Sequence, residues 1–372
     1  MKPAPVAFLF LGETLLIPHL YPIVEALAAL APDLAIDCWV STSVHEGLLA
    51  GWLAEAGIAG RVRVRRVPGF RACPELRHGE NPPLPPKLPM LARLLPHLLG
   101  VKVAVCAEQT SLWLPTIVPF LKTRFIITAH GAGSINDRVD RRRDHAWLQL
   151  LPSDFEAEEM VRCGKPADRV AVTGYVKAAF RHVTPARALF PDTRPVIVYA
   201  PHWQRWRSSW WEWGRQIVAM LSEQDRWNVI LAPHQRLPEK DPEVVSIIRE
   251  AARLPHVHAD HDSFAMVDGS YMAAADLYLG DTSSQVVEYL IRPRPCLFLN
   301  AQGTDWRATD DHGFWECGEV VDTLANVPAA IDRAPAGHAA FDPVQRAFAA
   351  KAMGDASPEA AIRAARAVVA AL

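Results

Sequence analysis

The stretch "GDTSSQVVEYLIRPRPCLFLN" (residues 280–300) decides the reading of this chain. Two serines, Ser283 and Ser284, stand where an apolar strand ends and an apolar helix begins, and a second strand, "CLFLN" (296–300), follows. Strands alternating with helices imply right-handed βαβ units and a parallel sheet. Either serine is placed to cap the helix by accepting one of its free N–H groups. A helix start with free N–H groups and flanking hydroxyls is also an anion seat. Glu288 lies four residues after Ser284, on the same face one turn deeper, where a carboxylate can accept hydrogen bonds from ribose hydroxyls. The plain alternative for Glu288 is a solvated helix carboxylate.

Working outward, the same alternation covers the chain. "VAFLFLG" (6–12), "AIDCWVST" (35–42), "VRVRRV" (62–67), "VKVAVCAE" (101–108), "RFIITAHG" (124–131) and "RVAVTGY" (169–175) read as strands, with amphipathic helices such as "PHLYPIVEALAALA" (18–31) between them. Near-continuous Val/Ile/Leu runs point to strands buried on both faces. The pattern breaks around residues 180–194, then resumes with "VIVYAPH" (196–202), "NVILAPH" (228–234), "VHAD" (257–260), "DLYLGD" (276–281) and "CLFLN". The expected fold is therefore α/β, with two Rossmann-like, doubly wound parallel-sheet domains facing across a cleft. The N-terminal domain spans 1–185 and the C-terminal domain 186–356. A closing helix at 357–372 starts at Ser357 as N-cap with Pro358 in the first position.

The bulk properties agree. A chain of 372 residues exceeds one ordinary core, so two domains are expected. A net charge of -2 gives no field favouring nucleic acid. The six cysteines show no CxxC and no paired spacing, which argues for a reducing compartment without disulfides or a zinc site. The apolar start is interrupted by Gly12 and Glu13 and reads as a strand, not a leader. With no uncharged run long enough to span a bilayer, the expected location is cytoplasmic, and peripheral contact with the inner membrane face is left open.

Ligands of such sheets bind beyond the carboxyl ends of the strands. Four polar groups fall there: "ITAHGAGSINDR" (127–138) with His130, Gly131 and Arg138; "YAPHWQRW" (199–206) with His202 and Arg205; "LAPHQRL" (231–237) with His234 and Arg236; and Thr282, Ser283 and Ser284 of the opening stretch. Any one of these histidines reads more often as loop chemistry than as function. Four such ends together point to a site.

Taken in order, these motifs resemble the CDP-glycerol glycerophosphotransferase family, the teichoic-acid primases and polymerases of GT-B fold. "HGAG" (130–133) is similar to the family's "HGTP" loop, and "LPSDF" (151–155) and "VTGYVKAAF" (172–180) to its "SPS" and "TGYPR" segments. "VIVYAPHWQR" (196–205), "APHQR" (232–236) and "ADLYLGDTSSQVVEYLIRPRPCLFLN" (275–300) resemble its "ILYAPTWR", "LHP" and "ADxLITDYSSxxFD" segments. The chain departs from the family at Thr282, at Gln235, at Ala132 and Gly133, and at Val176, Lys177 and Ala179. The resemblance implies transfer of glycerol phosphate, or a similar polyol phosphate, from a CDP-activated donor to a glycan or lipid-linked saccharide of the cell envelope. It implies His130 as general base. His234 with Arg236, Ser283 and Ser284 would hold the pyrophosphate, with His202, Arg205, Thr282 and Glu288 lining the nucleotide side and Gly131 and Arg138 the acceptor side. No cofactor and no obligatory metal are expected, because no Walker loop or acidic cage is evident.

Other readings stay open at this stage. "LGETLLIPHLYPIVEAL" (11–27) and "YAPHWQR" faintly resemble UDP-GlcNAc 2-epimerases, although Thr282, Ser283 and Ser284 replace their Ser-Gly-Gly loop. A nucleotide-sugar glycosyltransferase and a non-catalytic scaffold also fit the fold. Five tryptophans between Trp203 and Trp213, interleaved with arginines, suit either core packing or an acceptor or membrane-interface surface. "RVDRRRDHAW" (138–147) reads as a solvated basic face or a contact for an anionic acceptor. "NPPLPPKLPMLARLLPHLLG" (81–100) reads as an extended loop over the domain or a membrane contact.

Overall fold

The structure, a computed structural model, describes residues 4–76, 79–129, 131, 140–308 and 310–372, the side chains of Ser284, Asp310 and Asp311 excepted. The chain divides into two compact units, residues 1–182 with 350–372, and residues 183–349. The sequence places the boundary at 185/186 and assigns 350–356 to the second domain. In the structure that segment belongs to the first unit, because the chain turns back there.

The first unit holds a seven-stranded sheet: β1 (Val6–Phe10), β2 (Ile36–Thr42), β3 (Val62–Arg71), β4 (Val103–Cys106), β5 (Arg124–Thr128), β6 (Leu148–Leu151) and β7 (Val170–Val172). Its order is β3-β2-β1-β4-β5-β6-β7. The second holds β8 (Val196–Ala200), β9 (Asn228–Leu231), β10 (Val257–Ala259), β11 (Leu277–Gly280), β12 (Cys296–Leu299) and β13 (Glu319–Val321), in the order β10-β9-β8-β11-β12-β13. All pairings are parallel. The continuous apolar runs have their physical consequence here, since every residue of β1, β2, β8, β9, β11 and β12 is buried. Each fully buried Val, Leu or Ile contributes about 1.5–3 kcal/mol, so these central strands carry much of each core. Strand β3 lies at an edge and is polar on one side, its Arg63 paired with the buried Asp37 of β2 at 2.7 Å.

In both sheets the strand order reverses at one point, between β1 and β4 and between β8 and β11. These switch points open a crevice at the strand ends where ligands bind in this architecture.

The "TGY" segment ends β7 instead of extending it. Gly174 has φ +90°, and a Cβ there would lie 2.4 Å from the Asp355 carbonyl oxygen. The turn lets Tyr175 N donate to Asp355 O (2.8 Å) and Thr173 O accept from Arg363 Nε (2.8 Å), which docks the returning chain. The last helix, Glu359–Ala370, packs against Ile17–Leu30 and buries Ala360, Ala361, Ala364, Ala365 and Val368. Ser357 Oγ accepts from Glu359 N at 3.3 Å, as a capping serine does. All six cysteines are free thiols, Cys163 exposed and the others buried.

Candidate functional site

The first unit's switch point is occupied by its own chain. Asn81 Oδ1 accepts from Thr14 N (3.2 Å) and Thr14 Oγ1 (3.3 Å), just beyond β1. Lys87 Nζ donates to Leu11 O (2.7 Å) and to both carboxylate oxygens of Glu108 (3.0 and 2.8 Å), just beyond β4. Ser111 Oγ adds a third bond to Glu108 at 2.9 Å. The Pro-rich segment between Asn81 and Lys87 is thus a strap across the crevice. Beneath it, between Gly12, His45 and Glu108, a cavity of about 10 Å³ remains. That is room for about one water, against roughly 300–1,000 Å³ for a small-molecule site.

The second unit's switch point is built differently. Strands β8 and β9 lead into the same tripeptide, Ala200-Pro201-His202 and Ala232-Pro233-His234. They run in register, and the ladder continues past the strand ends through Ala232 N to Tyr199 O (2.9 Å) and His234 N to Pro201 O (3.0 Å). The two imidazoles therefore emerge side by side, with ring centroids 5.3 Å apart. His202 Nδ1 accepts from Gln204 N and His234 Nδ1 from Arg236 N, each at 3.1 Å. A backbone N–H aimed at Nδ1 requires the tautomer with its proton on Nε2. Both rings are thereby held as neutral Nε2–H donors. Burial, with help from His234 and Arg207, pushes His202 down to about 3. Burial and then Arg236 push His234 down to about 4. Trp203 completes the group, 5.9 Å from the His202 ring and 6.2 Å from the His234 ring, with the Arg236 guanidinium 5.6 Å above it.

Asp281, the first residue past β11, ties these loops together. It is fully buried, and its Oδ2 accepts from His202 N and Ser209 N, both at 2.9 Å. Burial raises it to about 7, opposed by the amides of His202 and Ser209 and by the hydroxyls of Ser209 and Ser208. Ser209 Oγ is itself held by Tyr199 OH at 2.9 Å. Ser283 caps the helix Ser284–Tyr289 by accepting from Gln285 N at 3.3 Å, which supports one half of the sequence expectation. The helix is only six residues long, so its dipole is a minor contributor to any anion site. Thr282 is buried beside it, and its Oγ1 has no hydrogen-bond partner among the described residues. Glu288 sits half-buried on the last turn of that helix.

The expected site residues divide accordingly. His202, His234, Thr282 and Ser283 come together at the β8/β11 switch point, with the backbone of Arg236 fixing one imidazole. Arg205 does not join them: its exposed guanidinium lies 3.6 Å from Glu212 and 5.5 Å from the Trp211 ring. Arg207, half-buried and stacked on Trp206 at 3.9 Å, is the arginine whose charge reaches His202. Gly131 belongs to the first unit, half-buried just beyond β5. His130 and Arg138 lie outside the described residues. Asp281 and Arg207 are absent from the expected set; the placement of Asp281 directly after a buried strand was the available signal for it.

The tryptophan-rich segment resolves into core and rim. Trp210–Gly214 forms a π-helical turn, and Trp210 is buried with Nε1 donating to Asp241 Oδ2 at 2.8 Å. Gly214 is required there, since a Cβ would lie 2.5 Å from Trp210 Cε3. Trp203, Trp211 and Trp213 pack partly against the same core, whereas Trp206 is half exposed. Further along the sheet edge, the ligand atoms of Asp260, His261 and Asp262 lie within 4.8 Å of one another. Asp260 is already committed to Ser263, to the amides of Asp262 and Ser263, and to Tyr271 OH (2.6 Å).

No family model matches the chain, and no curated protein does. Solved structures do. The wall teichoic acid polymerase TagF aligns over 99% of this chain and 90% of its own, at TM-score 0.65 and 13% identity. A TagF variant soaked with CDPG aligns over 99% of this chain and 89% of its own at TM-score 0.63 and 13% identity. The UDP-GlcNAc 2-epimerase of Neisseria meningitidis, bound to UDP-GlcNAc, aligns over 98% of both chains at TM-score 0.59 and 12% identity. At this identity the likeness concerns the fold, which is α/β of GT-B type with two Rossmann-like parallel sheets.

Proposed function

We propose that the chain is an enzyme that transfers glycerol phosphate, or a similar polyol phosphate, from a CDP-activated donor to a glycan or lipid-linked saccharide. The single observation that carries the donor site is the pair of neutral Nε2–H donors, His202 and His234, at the β8/β11 switch point. Phosphoryl transfer asks mainly for positioning and charge stabilisation. Two fixed donors flanked by Arg207 and Arg236 supply both to a pyrophosphate, with no proton to lose at neutral pH. The acceptor hydroxyl forms a new O–P bond to the phosphate next to the glycerol. The bond from that phosphorus to the bridging oxygen breaks, and its electron pair leaves with CMP. The resemblance assigns the acceptor's proton to His130. The likeness to TagF supports the choice of donor.

A second reading, a nucleotide-sugar enzyme akin to the UDP-GlcNAc 2-epimerases, is favoured by His202, which stands where the glycerophosphotransferase pattern has threonine. The two separate in one assay. Purified protein given CDP-glycerol and an acceptor glycan releases CMP under the first reading and loses this on His130→Ala. Binding of UDP-GlcNAc with no response to CDP-glycerol selects the second.

A further inference from the structure

Two loops at the carboxyl edge of the second sheet carry tryptophans that the phosphate chemistry does not use. After β8, the turn Arg205–Arg207 presents Trp206, which is 50% exposed, with the Arg207 guanidinium 3.9 Å from its ring centre. After β12, the turn Trp306–Ala308 repeats the pair, with Arg307 lying 4.1 Å over the ring of Trp306. The two loops are joined, since Gln302 Nε2 donates to Ser208 O at 3.2 Å.

Both loops are fixed from below. Asn300, the first residue past β12, accepts from Thr304 N (2.8 Å) and donates to Thr304 O (3.1 Å) and Asp322 Oδ1 (2.7 Å). Trp306 leans on the buried Trp315 at 6.1 Å between ring centres, and Trp315 stacks on Phe298 of β12. The Trp206 turn is pinned just beyond its end, where Ser209 N donates to Asp281 Oδ2 at 2.9 Å. Little ordering is left for a ligand to impose, which favours binding. Arg205, expected from the sequence at the donor phosphates, instead points outward with its side chain 73% exposed. At 3.6 Å its contact with Glu212 is longer than a hydrogen bond and worth little in water. Residues 202–215 carry three arginines against one acid, Glu212.

Indole faces beside guanidinium groups match a ligand in which C–H faces alternate with anions. The C–H face of a pyranose ring stacks on an indole, while a carboxylate or phosphate takes charge-assisted hydrogen bonds from a guanidinium. Among the described residues of these two loops Trp206 is the one exposed large apolar side chain, so the surface is not an apolar patch seeking another core. We infer that this edge is a binding platform for an anionic glycan, with Trp206 and Trp306 holding sugar rings and Arg205 and Arg307 holding the charges between them. The platform rests on the acceptor half of the proposed function for its occupant, an acidic or phosphate-bearing saccharide chain.

Titration of the full chain, without nucleotide, with hyaluronan oligosaccharides tests it, because these carry a carboxylate on every second pyranose ring. Binding is expected to be at least roughly tenfold tighter than to dextran oligosaccharides, which have rings without charge, or to polyglutamate, which has charge without rings. Trp206→Ala should weaken it roughly tenfold and Arg307→Ala about fivefold. Both side chains are exposed, so unfolding temperatures should not move, which separates a lost platform from lost folding. Polyglutamate bound as tightly as hyaluronan would overturn the platform, as would glycan binding that survives both substitutions. So would an oligothymidylate bound as tightly and weakened equally by Trp206→Ala, which would make the surface one for nucleic acid. CDP-glycerol binding is titrated separately. Absence of glycan binding with donor binding intact therefore removes the platform alone, and the reverse removes the donor reading alone.

Discussion

At the first unit's switch point the strand ends are tied to the chain's own Asn81 and Lys87. At the second the same topological position presents two imidazoles, a tryptophan and two arginines. Each has a buried carboxylate just beyond its fourth strand in sequence, Glu108 after β4 and Asp281 after β11, and these are treated in opposite ways. Glu108 meets an ammonium at 2.8 Å, whereas among the described residues Asp281 meets backbone amides and hydroxyls. The crevice that the topology creates is therefore used twice, once closed by packing and once lined with hydrogen-bond donors. Fold alone does not decide which switch point receives a ligand; the residues just past the strands do.

Substitutions that separate the two points sharpen this contrast. The largest effect is expected from His234→Ala, which removes one fixed donor from the phosphates and should lower kcat/KM for CMP release roughly 10²–10³-fold. Unfolding temperature should hardly change. At the other point, Lys87→Ala should reverse the pattern. It leaves Glu108 buried with Ser111 as its remaining partner, costing about 3 kcal/mol in urea unfolding, while donor affinity measured on folded protein stays as it was.

The buried Asp281 carboxyl makes stability depend on pH. Asp281 is raised to about 7 from an ordinary 3.8, chiefly by burial, so the folded state favours its protonated form. Stability from this group is fully present below about pH 4 and is lost as pH rises toward 7. Asp281→Asn, which keeps an oxygen for the His202 and Ser209 amides, should therefore gain stability relative to wild type on going from pH 5 to pH 8, by on the order of a few kcal/mol. Glu108→Gln should destabilise for a different reason, because it leaves the Lys87 ammonium facing a neutral amide. Differential scanning fluorimetry across that range measures both. The smallest effect is a flat line. With His202 near 3 and His234 near 4, neither ring changes charge between about pH 5.5 and 8.5, so in Asp281→Asn, where the neighbouring carboxyl no longer titrates, donor affinity should vary little across that range. A steep fall in affinity near pH 6.5 would show that an imidazolium, not a neutral ring, holds the donor.

Much of this was legible in the residues. Strands buried on both faces announce themselves as unbroken apolar runs, and the repeated "APH" puts both histidines at strand ends. Ser283 as a cap followed from its place between strand and helix. Other features depend on geometry that no local pattern carries. Gln204 N and Arg236 N set the imidazole tautomers, and neither bond is visible in composition or spacing. The turn Arg205–Arg207 decides which arginine faces inward; Arg205 goes to Glu212 and Arg207 toward His202. The strap is held by contacts reaching from Thr14 to Asn81 and from Lys87 to Glu108, long in sequence and dependent on the finished sheet. The return of the last helix to the first unit rests on Gly174 and Asp355, likewise invisible until the two segments meet.

The proposed function seats the donor's phosphates at the β8/β11 switch point through His202 and His234. Calorimetric titration of CDP-glycerol tests it most directly, on wild type, on His202→Ala with His234→Ala, and on Lys87→Ala. Saturable binding to wild type, similar binding to Lys87→Ala, and loss of at least about a hundredfold in the histidine pair are expected. Equal affinity for wild type and the histidine pair would contradict it.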